Sequence, residues 1–598
     1  MSRVNVNKTF ISSPLVGEDK GGGCNRILTP ILAFPHKGGR KKLNCFTIIV
    51  FFLSINLFPH FLYAQSAKSI EDILGSIPVQ NGGRVKPFRS FAKESLLLVT
   101  GKMSWEKQDP TIVIWKWLAE PQVWASKPLV PVQNAELRKH FSADTINNRV
   151  APNLILNDLE FLKTIRALQQ RQEKEKNLTA SEKKQLEFYQ RARLFDEISN
   201  GRIPGFIPHP EDPKISWLPP EALIHQEGTE ILTNVFPVSE VRQLQTVFLH
   251  FLDRIKEGNL EAAFPSAQEF VSNLNELLLS REIILDRSKI NEELLYFKIK
   301  PFQLALAFYL LSLFIWAAPN KNPKLILAAL VLFFIGFFTH TFGFVLRILI
   351  AGRPPVTNMY ESIIWVSWAA ALFSVVLWFF YRSSLLPAIA AAVATFGLLV
   401  AESFPTLLDP SISPLVPVLR SNFWLTIHVL TITLGYGAFA LNWGISHALI
   451  YSLAFNGKKK TIDNLTEYVY RSLQIGVILL SCGTILGGVW ASYSWGRFWG
   501  WDPKETWALI AILAYLAVLH SRTAGWLDTF GVGFWAALCF LTVLMAWYGV
   551  NFVLGVGLHS YGFGGGGLHY VLAFVGADLI FLLFLEKQFK MNTHIIER

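Results

Sequence analysis

The residues most suited to chemistry lie between Trp495 and Trp507. The run Trp495-Gly496-Arg497-Phe498-Trp499-Gly500-Trp501-Asp502-Pro503-Lys504-Glu505-Thr506-Trp507 holds four tryptophans in thirteen positions, with long apolar segments on either side. So much flat, apolar surface in one loop suits a planar, apolar ligand that contains iron. Three histidines stand at nearby membrane boundaries, His428, His520 and His559. Neutral imidazole is a common metal ligand, and two rings facing each other hold a haem iron from both sides. On this reading His428 and His559 are the axial pair, and Trp495, Trp499 and Trp501 cover the ring. Arg497 and Lys504 are the cations placed to meet the ring's carboxylates, and the residues alone do not choose between them. The plainer reading is interfacial: aromatic belts place tryptophans at membrane surfaces, and a single histidine is as readily a hydrogen-bonded structural residue. Belts usually scatter their tryptophans, whereas here a glycine-spaced cluster and two histidines converge on one side.

The loop also contains a helix start. Asp502 suits the N-cap, Pro503 the first turn, and Glu505 the position that closes a capping box. His520 stands near the far end of the helix that follows, where it is either an anchoring hydrogen bond or a transmembrane haem ligand. His340 and His447 are candidates to oppose it, and neither is preferred; His569 is a reserve candidate for the outer site. In Gly352–Ser362, Asn358 or Glu361 suits the start of a helix, where accepting and negative groups are favoured. The glycines at 562 and 564–567 are not followed by Lys-Ser/Thr, so they do not form a phosphate loop.

These residues need a frame, and composition indicates one. The chain has 598 residues, 51% of them hydrophobic, and its mean hydropathy is +0.34. From Pro301 onward, apolar runs of roughly 20 residues recur, each long enough to cross a bilayer. Nine are expected, near 302–318, 325–347, 362–381, 384–404, 424–454, 470–491, 506–522, 532–554 and 568–587. Residues 1–64 read as a basic leader with an apolar core, either a cleaved signal peptide or an anchor. Residues 65–300 read as a mostly helical soluble domain, and 301–598 as a polytopic membrane domain with the tryptophan-rich loop at 493–507. The fold class expected is therefore an all-α polytopic membrane protein with a helical extracytoplasmic domain.

Within 65–300, Glu173 to Phe195 is charged and helix-forming, with a start signal at Thr179–Glu182, and reads as a solvated helical pair. Ile77–Phe88 reads as a turn between short strands. The net charge of +11 does not argue for nucleic acid, because basic residues gather in the leader and in short loops. Lys321, Lys324, Arg382, Lys458–Lys460 and Arg522 all fall on one side of the predicted membrane, which makes that side cytoplasmic. The soluble domain, the tryptophan loop and the glycine-rich loop at 555–567 then lie outside. Four cysteines, Cys24, Cys45, Cys482 and Cys539, offer no disulfide or zinc spacing, and Cys-x-x-Cys-His is absent.

The tryptophan loop, with His428 before it and His559 after it, resembles the haem-handling family of cytochrome c biogenesis. The likeness is nearest to the System II membrane subunit known as CcsA or ResC. Pro355-x-x-Asn358-x-Tyr360-Glu361-Ser362, Ser421-Asn422-x-Trp424-x-x-Ile427-His428-Val429 and Trp507-Ala508-Leu509-Ile510 leading to His520 share it, over roughly 320–590. The resemblance implies a subunit of a cytochrome c synthase in the bacterial inner membrane. It would hold haem b, substrate as well as ligand, at Trp495, Trp499, Trp501 and Asp502. His428 and His559 would be the outer iron ligands, and His520 a transmembrane one. The implied partners are a CcsB/ResB-type subunit, an apocytochrome c whose Cys-x-x-Cys-His thiols receive the haem, and a thiol-reducing pathway. His60 would join the transmembrane ligands only if the leader is retained. The rivals are a haem exporter or chaperone without ligation activity and a non-haem transporter. The latter calls for repeated halves with broken helices, which the sequence does not display.

Overall fold

Helix after helix in this chain opens on a side chain that accepts a hydrogen bond from the first turn. Asp109 caps Pro110–Ala119, Asp158 caps Leu159–Glu173, and Thr179 with Glu182 forms a full capping box at Ala180–Ser199. The computed structural model describes residues 69–596, apart from 133, 142–146, 175–177, 210–214, 320–321, 415–421 and 555–566. The leader with His60, the glycine-rich loop and His559 therefore lie outside the described residues.

Residues 69–287 form short helices and a hairpin around an aromatic core. Trp115 stacks on Phe88 at 4.8 Å, with Phe251 and Phe270 edge-on at 5.2 and 6.0 Å. The charged run forms a pair of helices: Leu159–Glu173 ends where the run begins, and Ala180–Ser199 carries most of it. The second helix keeps its charges outward and buries Leu186, Phe188, Ala192, Phe195 and Ile198. The predicted turn is an antiparallel hairpin, β1 (Pro78–Asn81) and β2 (Arg84–Pro87), closed by Gly82 and Gly83 at positive φ.

Nine described helices are long and apolar enough to cross a bilayer, one for each predicted segment, and the chain is an all-α polytopic membrane protein. Their main helical segments are α1 (Pro301–Ala317), α2 (Pro323–Ala351), α3 (Met359–Tyr381), α4 (Leu385–Ser403), α5 (Leu430–Ala454), α6 (Lys459–Trp495), α7 (Pro503–Thr523), α8 (Thr529–Leu538) and α9 (Leu568–Ile596), where α1 completes a span that begins at Ser288, α5 one that begins at Thr426 and α8 opens one that ends at Leu554. A π-helical turn, Leu425–Val429, leads into α5, and α8 runs on through Phe540–Leu544 into a second π-helical stretch, Met545–Leu554. The helix Ser288–Ile299 joins α1 through Lys300, which takes a left-handed φ of 50°. Predicted ends hold within a few residues except at α6, which starts eleven residues early at Lys459, and at α9, which runs nine residues past 587 to Ile596. The polar first turns of α6 are helical without being apolar.

The fifth helix is the axis of the bundle and packs against α3, α4, α6, α8 and α9. Small residues let backbones meet there. A Cβ at Gly435 would lie 2.9 Å from the Leu480 amide nitrogen of α6, and one at Gly437 would lie 2.3 Å from the Ala369 methyl of α3. Phe439 stacks flat on Tyr515 of α7 at 3.8 Å.

Successive spans alternate in direction, so 352–358, 404–414 and 496–502 reach the end that carries 69–287. Buried charges tie that end together. Glu361 at the head of α3 receives Arg347 from α2 at 2.8 Å and Arg353 at 3.0 Å, and all three are buried. Thr357 donates twice to the same carboxylate, and Asn358 caps α3. The guanidiniums also donate to the carbonyls of Pro410 and Ser413, which pins the 404–414 loop. Alongside, Arg84 of the hairpin forms a two-pronged pair with Glu293 at 2.7 and 2.8 Å, and Ser90 donates to Glu293 at 2.6 Å. Burial raises the neighbouring Glu94 carboxyl above the usual range, against the pull of Lys86 and Arg84.

Candidate functional site

His428 sits in the π-helical turn ahead of α5, and α6 shapes its surroundings. Its Nδ1 lies 2.8 Å from the Gly483 carbonyl oxygen. A carbonyl only accepts, so Nδ1 carries the proton, and in the neutral ring the lone pair is on Nε2. The ring lies flat enough on α6 that a Cβ at Gly487 would stand 2.5 Å from its Cε1. Trp490, one turn further along α6, meets the ring at 5.7 Å and 60°.

Around this histidine is a cavity of about 150 Å³. Trp490, Trp495 and Trp499 wall one side, and Tyr436, Trp547 and Asn551 the other. Two of the expected tryptophans thus line the space beside His428. Trp501 does not line it: it is 69% exposed, at a left-handed φ of 57°, with its ring edge-on to Trp499 at 5.9 Å. Asp502 is buried and does what its place in the sequence predicts, accepting from the Lys504 amide at 2.9 Å at the head of α7. Glu505 closes the box and reaches further, accepting from the amides of Gly500 and Asp502 at 2.8 and 3.2 Å.

The two loop cations part company here. Arg497 is held by charge: its guanidinium stands 3.6 Å from Glu505, with no hydrogen bond between them among the described residues, and 6.0 Å from the centre of the Trp495 ring. The Lys504 ammonium lines the cavity, and among the described residues no acceptor takes a hydrogen bond from it. Asn551, also lining the cavity, adds a buried amide oxygen without a hydrogen-bond partner among the described residues. A cavity with aromatic walls, one oriented imidazole and one amine can hold the edge of a flat ring that carries a metal and an anionic group.

The remaining histidines stand elsewhere. His520 is on the exposed side of α7, its Nδ1 donating to the Leu516 carbonyl one turn back at 2.7 Å. His340 is fully buried among Phe302, Tyr309 and Phe344. His447 donates from Nδ1 to the Trp443 carbonyl at 2.9 Å, and its Nε2 stands 3.1 Å from the Asp578 carboxylate with no hydrogen bond among the described residues. Among the described residues no hydrogen bond or ring contact joins His340 or His447 to His520. His569 lies against Tyr570 at the start of α9, the rings 4.0 Å apart and tilted by 43°.

Sequence reasoning missed Tyr436, Trp490, Trp547 and Asn551 as cavity walls. Each sits within an apolar helix, where side-chain type alone reads as core. The nearest signal was the Gly487-Gly488 pair one turn before Trp490, which marks a close approach on α6.

Comparison with known proteins agrees in region. Residues 356–559 match the family described as Cytochrome C assembly protein. Protein NrfI of Wolinella succinogenes is 30% identical over 578 aligned residues, which take in 90% of this chain and 61% of NrfI. The chain thus spans less than two thirds of that relative's length. The cytochrome c biogenesis protein CcsA of Prochlorococcus marinus (strain MIT 9301) is 36% identical over 246 residues, 36% of this chain and 77% of CcsA. A solved structure, Cytochrome c Heme Lyase CcmF, shares 20% identity over 49% of this chain and 50% of its own, with a TM-score of 0.33. At that score the likeness carries no weight.

Proposed function

The chain belongs to the cytochrome c assembly protein family, and on that premise we propose that it is a haem-handling subunit of a cytochrome c synthase, of the System II kind. Haem b is its substrate. The proposed step adds an apocytochrome thiol across each haem vinyl group: the S–H bond breaks, a C–S bond forms, and the hydrogen goes to the other vinyl carbon, with no net oxidation. The chain's part is to hold the ring in place on the extracytoplasmic side, beside 69–287, in the inner membrane.

The observation that carries the reading is His428, its proton held on Nδ1 by Gly483 while its ring lines a cavity with Trp490, Trp495 and Trp499. His559 is the proposed second ligand. Of the two cations, Lys504 is the better placed to meet a haem carboxylate, because Arg497 is engaged by Glu505. A polar histidine on the exposed side of α7, a span that is itself mostly exposed, fits a ligand completed by another transmembrane helix. That helix is assigned to a CcsB-type partner, and reduced apocytochrome thiols to a thiol-reducing pathway.

The test is the visible spectrum of the purified protein, expressed with its partner and read with and without reductant. Sharp low-spin bands are expected in the wild type, lost in His428→Ala and partly restored by added imidazole. A colourless, folded wild-type protein, or an unchanged spectrum and full holocytochrome yield in His428→Ala, would sink the proposal.

A further inference from the structure

Behind the tryptophan-lined cavity lies a larger one, about 430 Å³, walled by α3, α4, α5, the Phe540–Phe552 stretch and α9. The two share Met359, Ser362, Tyr436 and Trp547. Trp547 is the partition, held by its indole N–H donating to Ser362 Oγ at 3.0 Å. The larger chamber is almost wholly aliphatic and aromatic, and no His, Cys, Asp or Glu is among its described lining residues. The hydroxyls of Ser362 and Ser367 are turned back onto helix carbonyls.

The far wall of this chamber is a seam between α4 and α9, bridged by rings. Phe396 meets Phe574 at 5.3 Å, and Phe404 meets Tyr570 at 4.5 Å. Phe396 and Tyr570 are 45% and 46% exposed on the face that the bilayer would cover. The ninth helix is the least buried span, at 17%, and packs its backbone chiefly on α5. Helices that seal a membrane interior bring backbones together over small residues. Here side chains close the gap, and side chains change rotamer on short timescales.

We propose that this chamber is a lateral antechamber: a planar, apolar tetrapyrrole enters from the bilayer between α4 and α9 and passes Trp547 to reach His428. The proposal rests on the haem reading above. The size of the chamber falls in the range of ligand sites, roughly 300–1,000 Å³, whereas the cavity at His428 admits only an edge. Among the described lining residues there is no imidazole, thiolate or carboxylate to hold the iron, which suits passage, since passage needs binding weak enough to leave. Leu407, Leu408, Gly567 and Tyr570 bound its end nearest 69–287, so a ring can enter apolar edge first while its carboxylates stay at the membrane surface.

The experiment measures transfer of haemin from loaded phospholipid vesicles to the reconstituted full-length chain with its partner, following growth of the low-spin bands. Ala440→Trp, on α5, fills the chamber without touching the His428 cavity. It is expected to slow loading by about tenfold and to leave the final amplitude unchanged. Val543→Phe fills it from the α8 side and is the second variant if Ala440→Trp does not fold. Phe396→Ala, which opens the seam, is expected to load faster. Loading at the wild-type rate in the folded filled variants would overturn the antechamber. So would a phospholipid acyl chain retained there by mass spectrometry in fully haem-loaded protein. A wild type that never colours would instead overturn the haem reading itself.

Discussion

Gly487 decides where His428 can lie. With any larger residue there, a Cβ would press on the imidazole at 2.5 Å, and the Gly483 bond that sets the tautomer would have to lengthen. Gly487→Ala is expected to shift or abolish the low-spin bands while costing about 1–3 kcal/mol of stability, the usual range for overpacking. Paired spectra and thermal melts check both halves, and unaltered bands would show that the ring has room to spare. Lys504 invites a sharper comparison. Lys504→Ala is expected to weaken haem binding roughly tenfold or more, in line with about 1.5–3 kcal/mol for a hydrogen bond to a charged group. Lys504→Arg should recover part of it. Arg497→Ala should act differently, loosening the loop through Glu505 and leaving carboxylate recognition largely intact. Haemin titrations of the three variants separate these roles, and equal losses in all three would refute the division.

At the scale of elements, two π-helical stretches border the cavity, Leu425–Val429 ahead of α5 and Met545–Leu554 beyond α8. Such turns recur at functional sites because the extra residue per turn re-aims the side chains that follow. The ends are anchored by charge. Glu361 neutralises one of two guanidiniums buried at the head of α3, and both also hold the 404–414 loop. Glu361→Gln should cost about 3–5 kcal/mol, since it leaves buried cations uncompensated. Unfolding in mild detergent measures this; a loss below about 1 kcal/mol would mean water already reaches the cluster.

Across the whole molecule, 69–287 and the membrane helices meet through Arg84 and Glu293. The carboxylate is buried, so Arg84→Ala should destabilise this junction by about 3 kcal/mol, and Arg84→Met with Glu293→Leu should recover most of that. Limited proteolysis beside melting curves reads the junction directly. A double variant as unstable as the single one would place the cost elsewhere. The hairpin turn, the Thr179 and Asp502 caps and the nine spans were all legible in the sequence, because each rests on residues a few positions apart: a glycine pair at a turn, an oxygen three residues before an amide, a run of apolar side chains as long as a bilayer is thick. The pairing of His428 with Trp490 and Gly483, and the choice of Lys504 over Arg497, were not. They depend on which face α6 turns toward α5, and that is set where Gly435 meets the Leu480 backbone and Gly476 meets Phe439. Sequence alone determined that this chain crosses a membrane many times and carries a tryptophan-rich loop at the head of one span. Tertiary structure decided which of those tryptophans line a cavity, that Lys504 lines it while Arg497 stands beside Glu505, and that a second chamber lies behind the first. The reason is physical: local periodicity records what one helix presents, while a cavity is the space several helices leave between them.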